Sequence, residues 1–299
     1  MKKLLVLIAI TFPMYVQGQT QKYAKYVKKY DVIQYLPPTC DKNPGTFWRA
    51  ITENNHEFQQ QMKKFDNPKG LAKKALQKIG DYSSGNTTMT ENQRKLSTDI
   101  AKKMLGDGDN YGMVFAVSSD EEWNAYSLPD GRVYINKGLL NKLDYDEEMI
   151  LGILAHEVAH YLLRHQLVHE YKSLKKEQQN NIGAAIGAVG TAVGNIAAAS
   201  AGVDKDYGSE QYTQWFDSAK KQSTLARFKY SRDEETEADI IAYRFLEWTG
   251  HNPENYALAL EKINIDYLIT KDDKEREHPT TEFRVGVLRQ IQSAPFAEK

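Results

Sequence analysis

Cysteine is almost absent from this sequence, since Cys40 is the only one among 299 residues. A single cysteine excludes any disulfide within the chain, so the fold cannot rest on a disulfide framework. Cys40 also lies too far behind the apolar N-terminal run to be the lipidated cysteine of a lipoprotein.

An excess of charge of one sign is also lacking. The 39 basic and 40 acidic residues leave a formal net charge of −1. Proteins that bind nucleic acid usually carry a clustered basic excess, so we expect no nucleic-acid partner. The hydrophobic content of 41% is that of an ordinary globular protein. The length suits one large domain, or one domain with a smaller appendage.

The N-terminus has the pattern of a secretory signal peptide. Lys2 and Lys3 precede an apolar run over residues 4–16, and Gly18 follows as a small residue. This pattern predicts cleavage after Gly18, with residues 1–18 removed and the protein exported to the periplasm or cell envelope. The alternative is a membrane anchor, but the run is short for a span of roughly 20 residues.

Local patterns along the rest of the chain predict an α+β protein, mainly helical with a small β-sheet. Residues 19–45 contain several breakers and predict an irregular arm. Alternating apolar residues predict the strands, and turn residues separate them. The predicted helices lie at 46–80, with a break at Asn67-Pro68, at 91–105 and from Asp146 onward, and the predicted strands lie at 113–117, 123–128 and 132–135. We therefore expect a mainly helical N-terminal segment at 19–105 and a second unit at 106–299.

One segment, residues 182–203, is uncharged and rich in alanine and glycine. It is long enough to cross a bilayer. Its glycines have the spacing that lets helices approach closely. Two interpretations stay open, namely a close-packed or lid-like helical hairpin and a segment in peripheral contact with a membrane.

The chemistry is carried by the motif His156-Glu157-Val158-Ala159-His160. Residues four apart lie on one face of a helix, so the imidazoles of His156 and His160 can reach one metal ion. Glu157 lies beside them, where it can take a proton from the attacking water. The flanking residues favour a helix without a breaker. The alternative is two surface histidines on an ordinary helix.

A catalytic zinc ion needs a third protein ligand. Leu163 and Gln166 stand where the metzincin pattern has glycine and histidine, which excludes that class, and His165 lies off the ligand face as a structural or surface histidine. The helix opened by Ser231 offers Glu235 as the third ligand. Asp239 lies one turn further, where it can accept the N–H of a ligand histidine and fix its tautomer. The alternative is an acidic solvated helix face.

In combination, these motifs resemble the HtpX-like zinc metallopeptidases, gluzincins that include CAAX prenyl proteases and BepA-type periplasmic proteases. The resemblance covers about residues 110–290. It rests on the segment from Asn124 to Ile135, the motif from His156 to His160, the helix from Ser231 to Asp239, and His278-Pro279 with Arg284. Asp130 departs from the glycine that the family often has at this turn.

The resemblance implies several further roles. Asn124, Ala125, Tyr126 and Ser127 would form the strand that binds the substrate. His278 would reach the active site and act there as a catalytic residue, and Arg284 would support its loop. One zinc ion per chain would be the cofactor.

These expectations describe an exported zinc endopeptidase that cleaves extended or unfolded protein segments in envelope quality control. Addition of the substrate as a β-strand favours such segments over folded surfaces. Two alternatives remain open. One is a chaperone or assembly factor whose zinc site is closed and rarely active, and the other is an integral membrane protease.

Overall fold

The computed structural model describes residues 23–81, 91–106, 111–180, 230–264, 280–291 and 297–298. These residues are mostly helical with a small sheet, which confirms the predicted class. No helix among them is both long and apolar enough to cross a membrane. The helices are α1 (23–30), α2 (Pro44–Glu53), α3 (His56–Asp66), α4 (Gly70–Asp81), α5 (Glu91–Leu105), α6 (Lys137–Lys142), α7 (Glu147–Leu162), α8 (165–180), α9 (Arg232–Thr249), α10 (Glu254–Asn264) and α11 (Thr281–Leu288), with a 3₁₀ turn at Val32–Tyr35.

The principal sheet has the order β2 (Val114–Ser118), β4 (Arg132–Asn136), β3 (Ala125–Ser127). β2 is parallel to β4 and β3 is antiparallel to it, so β3 forms one edge. The three predicted strands are present, with bounds shifted by at most two residues. A second, two-residue pair joins β1 (Thr39–Cys40) to β5 (Ala297–Glu298) in parallel.

Helix α7 begins where the sequence supplies an N-terminal cap. The side chain of Asp146 accepts a hydrogen bond from the backbone N–H of Met149 at 3.0 Å. Glu147 and Glu148 in the first turn favour the positive end of the helix dipole. Every residue from Leu151 to Leu162 is buried. The chemical motif is therefore carried by a helix that runs through the interior.

Helix α9 has caps at both ends. Ser231 and Glu234 form a reciprocal capping box at its start. Gly250 ends it with φ of 83°, a left-handed conformation that glycine adopts without a steric penalty. Between the two caps most of the helix is buried against α7. The second motif, which the sequence places at the start of this helix, therefore faces the first.

Helix α10 also packs closely on α7. A Cβ atom on Gly152 would lie 2.7 Å from Cβ of Tyr256, a distance at which one of the two helices would have to move. The absent side chain at Gly152 thus allows Tyr256 to lie against the helix one turn before His156. This contact brings a tyrosine hydroxyl to the site.

The N-terminal segment is ordered against the rest of the molecule, and the prediction of an irregular arm at 19–45 is wrong. Its described residues form α1, the 3₁₀ turn and β1. Tyr23 and Tyr26 contact the ring of Phe283 edge-on. The guanidinium of Arg244 donates hydrogen bonds to both carboxylate oxygens of Asp31, at 2.6 and 2.9 Å. These long-range contacts order a segment whose local sequence contains breakers.

The largest of three hydrophobic clusters among the described residues runs from the N-terminal helices to the C-terminal helices. At its centre Trp48 of α2 stacks on Phe245 of α9, with ring centroids 4.8 Å apart. Phe47 meets the same ring edge-on at 5.5 Å. The expected segments 19–105 and 106–299 therefore share one core.

Candidate metal centre

The two histidines of the first motif point their ring nitrogens at each other. Nε2 of His156 and Nε2 of His160 lie 3.0 Å apart on α7. Both side chains are buried, with 3% and 0% of their surface exposed. Burial first, and then the neighbouring His156, lowers the pKa of His160 to about 3. His160 is therefore neutral at neutral pH, the form in which a ring nitrogen binds a metal.

Glu235 of α9 approaches these nitrogens from the facing helix. Its carboxylate oxygens lie 3.6 Å from Nε2 of His156 and 3.4 Å from Nε2 of His160. Within the described part of the chain, these three residues are the group whose ligand atoms converge closely enough to hold a metal ion.

The candidate ligand atoms are close to the separations that zinc requires. Ligands about 2.1 Å from a tetrahedral zinc ion lie about 3.4 Å from one another. The two Nε2 atoms lie 3.0 Å apart, Oε1 of Glu235 lies 3.4 Å from that of His160, and Oε2 lies 3.6 Å from that of His156. The donor set, two imidazoles and one carboxylate, is that of a catalytic zinc site with a position left for water. The residues therefore fit the metal.

The other nitrogen of His156 faces a buried ionic network. Its Nδ1 lies 2.9 Å from Oδ1 of Asp239 and 3.1 Å from the hydroxyl of Tyr256. Arg284 donates from Nε and a terminal nitrogen to both oxygens of Asp239, at 2.9 and 2.6 Å. Tyr256 donates to Asp239 at 2.6 Å and accepts from Arg284 at 2.9 Å. The sequence placed Asp239 and Arg284 in the site but did not identify Tyr256.

Electrostatics in this network keep the carboxylate of Asp239 charged. Burial alone would raise the pKa of Asp239, but the charge of Arg284 and hydrogen bonds from Arg284 and His156 hold that pKa below its ordinary value. A charged acceptor at Asp239 favours the tautomer of His156 that carries its proton on Nδ1. Nε2 is then left with the lone pair that faces Glu235 and His160.

Glu157 reaches the edge strand of the sheet. Its Oε2 accepts a hydrogen bond from the backbone N–H of Ser127 at 2.9 Å. The backbone carbonyl of Ser127 accepts from the amide nitrogen of Gln166 at 2.7 Å. No local sequence pattern predicts this contact, and Gln166 stands out in the sequence only as a departure from the metzincin pattern.

The predicted substrate strand lies beside the site, and its residues differ in the direction of their backbone N–H and C=O groups. The carbonyl of Asn124 accepts from the N–H of Asn136, so it faces β4. Peptide groups alternate in direction along an antiparallel strand, so those of Tyr126 also face β4, and those of Ala125 and Ser127 face the free edge. Ala125 and Ser127 are thus the two positions at which an added strand would meet the sheet.

Tyr230 covers one side of the metal-ligand set. Its ring stacks on that of His160, with centroids 3.8 Å apart and planes inclined by 12°. Burial, followed by the nearby charge of Glu157, raises the pKa of this phenol well above its ordinary value. The sequence did not single out Tyr230, which precedes the motif of α9 by one residue.

The remaining residues of the sequence analysis have the following positions. His165, expected to be a structural or surface histidine off the ligand face, is buried and contacts His160. Arg284 holds Asp239, a contact that the sequence did not assign to it. His278 and the segment 182–203 lie outside the described residues, as do residues 1–18, so their expected roles stay predictions.

Comparison with known proteins identifies the family of the chain. The model of peptidase family M48 matches residues 89–292, which confirms the resemblance seen in the sequence. The beta-barrel assembly-enhancing protease of Escherichia coli O157:H7 is 25% identical over 177 residues, 58% of this chain and 33% of that protein. The metalloprotease YcaL of Escherichia coli K12 is 25% identical over 211 residues, 70% of this chain and 74% of that protein. The match thus spans about a third of the length of the first relative.

Proposed function

This chain belongs to peptidase family M48, whose members are metalloproteases, and on that premise we propose that it is a zinc-dependent endopeptidase of extended or unfolded protein segments. His156, His160 and Glu235 would hold one zinc ion. The observation that carries the proposal is the convergence of the two Nε2 atoms and the Glu235 carboxylate, with separations of 3.0 to 3.6 Å.

Glu157 would act as the general base. Bound zinc supplies a Lewis acid that polarises the scissile carbonyl and makes water more acidic. The carboxylate of Glu157 would take a proton from the attacking water and pass it to the leaving amine. Asp239 and Arg284 would keep His156 in the tautomer that binds the metal. His278, which the family resemblance places at the active site, would help to stabilise the tetrahedral oxyanion.

The edge strand β3 supports extended protein as the substrate. Ala125 and Ser127 direct their peptide groups to the free edge, and Ser127 contacts the proposed base Glu157. An added strand would therefore lie with its backbone beside the base. Main-chain hydrogen bonds of this kind do not depend on side chains, which favours unfolded segments of varied sequence.

The proposed location is the periplasm or cell envelope, and the proposed role is quality control of envelope proteins. The N-terminal signal-peptide pattern and the relative that is named for assembly of β-barrels support this role. N-terminal sequencing of the protein from envelope fractions should give Gln19 as the first residue. Residues 182–203 would make a peripheral membrane contact, and an alkaline wash without detergent should then release the protein.

The test pairs zinc analysis with casein degradation for the parent protein, Glu157→Gln and Glu148→Gln. Glu148 is a matched control because it lies on the same helix but pairs with His251. We expect about one zinc per chain in all three, with degradation by the parent and Glu148→Gln only. Absence of zinc from all three would contradict the ligand assignment.

A second candidate function is a chaperone or assembly factor with a closed, rarely active zinc site. The observation that favours it is that the backbone of Ser127 already has hydrogen-bond partners. Its N–H donates to Glu157 and its carbonyl accepts from Gln166, while Tyr230 stacks on His160. Zinc in all three proteins without degradation by any of them would support this candidate over the first.

A further inference from the structure

The two histidines of the metal-ligand set are supported differently. Nδ1 of His156 faces the Asp239 carboxylate, as described above. Nδ1 of His160 instead lies 2.8 Å from Nδ1 of His165. His165 is 4% exposed and stands at the start of α8, five residues further along the chain. One ligand thus contacts a carboxylate and the other a second imidazole.

The contacts assign one proton arrangement to this pair. Because Nε2 of His160 faces Glu235 and His156, it has to keep its lone pair to bind a metal, and the proton of His160 is then on Nδ1. The N–H at Nδ1 of His160 then donates a hydrogen bond, and Nδ1 of His165 has to accept it. His165 therefore carries its own proton on Nε2, which lies 3.4 Å from Oε2 of Glu237.

The surroundings hold His165 in this orientation. Its ring meets that of His160 nearly perpendicularly, with centroids 4.9 Å apart. The ring of Tyr230 contacts both imidazoles, stacking on His160 and meeting His165 at 6.3 Å. Glu237 is 26% exposed at the rim of this cluster. A carboxylate at the surface is thus connected through a buried histidine to a proposed metal ligand.

We propose that His165 is a positioning residue, which orients His160 and fixes its tautomer for zinc, with Glu237 fixing the tautomer of His165 in turn. This inference rests on the proposed function, since it needs a metal at the three ligands. Partners of metal-binding histidines typically contribute about 10- to 100-fold to metal affinity. The partner here is a neutral imidazole acceptor, where His156 has a charged carboxylate.

Three substitutions at one position separate this role from simple packing. His165→Asn puts an amide oxygen about where Nδ1 now lies, so the acceptor for His160 is kept. His165→Gln puts its amide about where Nε2 now lies, and His165→Leu has no acceptor. His169→Leu is the matched control, because His169 is on the same helix and its Nδ1 lies 3.8 Å from Glu234, away from the ligands.

The zinc dissociation constant of each variant is measured by chelator competition, and the thermal unfolding of the zinc-free protein verifies folding. We expect His165→Leu and His165→Gln to bind zinc about 10- to 100-fold more weakly than the parent. The zinc dissociation constants of His165→Asn and His169→Leu should stay within about threefold of the parent's, because both variants keep a hydrogen-bond acceptor for His160. Affinity of His165→Leu equal to that of the parent would overturn the inference, as would equal weakening in His165→Asn and His165→Leu.

The parent protein provides a test that needs no variant. With seven histidines in the chain, ring ¹⁵N and ¹H correlations of the zinc-loaded protein can assign each tautomer. We expect the proton of His160 on Nδ1 and that of His165 on Nε2, and the opposite tautomer at His165 would overturn the inference. A parent that binds no zinc would instead refute the proposed function, so the two failures are distinguishable.

Discussion

Oδ1 of Asp239 accepts hydrogen bonds from both Nδ1 of His156, at 2.9 Å, and a terminal nitrogen of Arg284, at 2.6 Å. A buried carboxylate thus joins a metal-ligand candidate on α7 to a cation on α11. The three residues lie on three different helices, so their geometry depends on the packing of the whole C-terminal half. Stability and metal affinity are therefore coupled at Asp239.

Replacing Arg284 by glutamine should be strongly destabilising. Loss of the guanidinium leaves the charge of Asp239 buried without its cation, and breaking a buried pair in this way costs about 3–5 kcal/mol. The free energy of unfolding of the zinc-free protein, from urea titration, measures this cost. Arg289→Gln is the control, because Arg289 pairs with Glu254 and Glu261 at the surface. Exposed pairs contribute about 0–1 kcal/mol, so equal losses in the two variants would contradict the account.

The zinc-free protein should lose stability as the pH falls from about 6.5 towards 5. His160 has a pKa of about 3 in the folded state against 6.5 as its ordinary value. In this window the unfolded state binds more protons, so the contribution of His160 is complete above 6.5 and declines as the pH falls. The slope from this one group is up to about 1.4 kcal/mol per pH unit.

Urea titrations at several pH values measure this slope, and His160→Asn provides the comparison. The variant has no imidazole at this position, so its stability should depend less steeply on pH over the same range. Equal slopes in the parent and the variant would show that His160 is not held neutral by burial.

The fragment 106–299 should not fold on its own. It lacks Phe47 and Trp48, which cover Phe245 of α9, and without them a ring that is 1% exposed would face water. It also lacks Asp31, so the guanidinium of Arg244 would lose a bidentate partner. We expect the fragment to bind a hydrophobic dye and to unfold without a cooperative transition. A sharp transition near that of the whole chain would contradict the shared core.

Much of the fold was predictable where the signals are local. The cap at Asp146 and the apolar residues that follow it predicted helix α7, and the turn before Arg132 predicted β4. The break between α2 and α3 was missed, although Asn54 and Asn55 cap the two helices there. The regular structure of the N-terminal segment was not predicted, because it depends on contacts with residues more than 200 positions away.

The candidate site shows the same limit. The spacing of His156 and His160 indicates one helix face, and that of Glu235 and Asp239 another, so the sequence could pair the two helices. Tyr256 and His165 could not be identified in the same way. Tyr256 reaches His156 across 100 positions through a close helix contact at Gly152, and His165 reaches His160 only because α8 begins directly after α7. Neither contact leaves a periodic signal.

Zinc content of two neighbouring variants tests the central claim most directly. Glu234 and Glu235 are adjacent on α9, but Glu234 caps the helix and pairs with Lys172, whereas Glu235 faces His156 and His160. Each is replaced by glutamine, and zinc per folded chain is measured after equilibration with a competing chelator. The account predicts that Glu234→Gln keeps about one zinc per chain, as in the parent, and that Glu235→Gln loses it. Zinc retained equally by both variants would contradict the account.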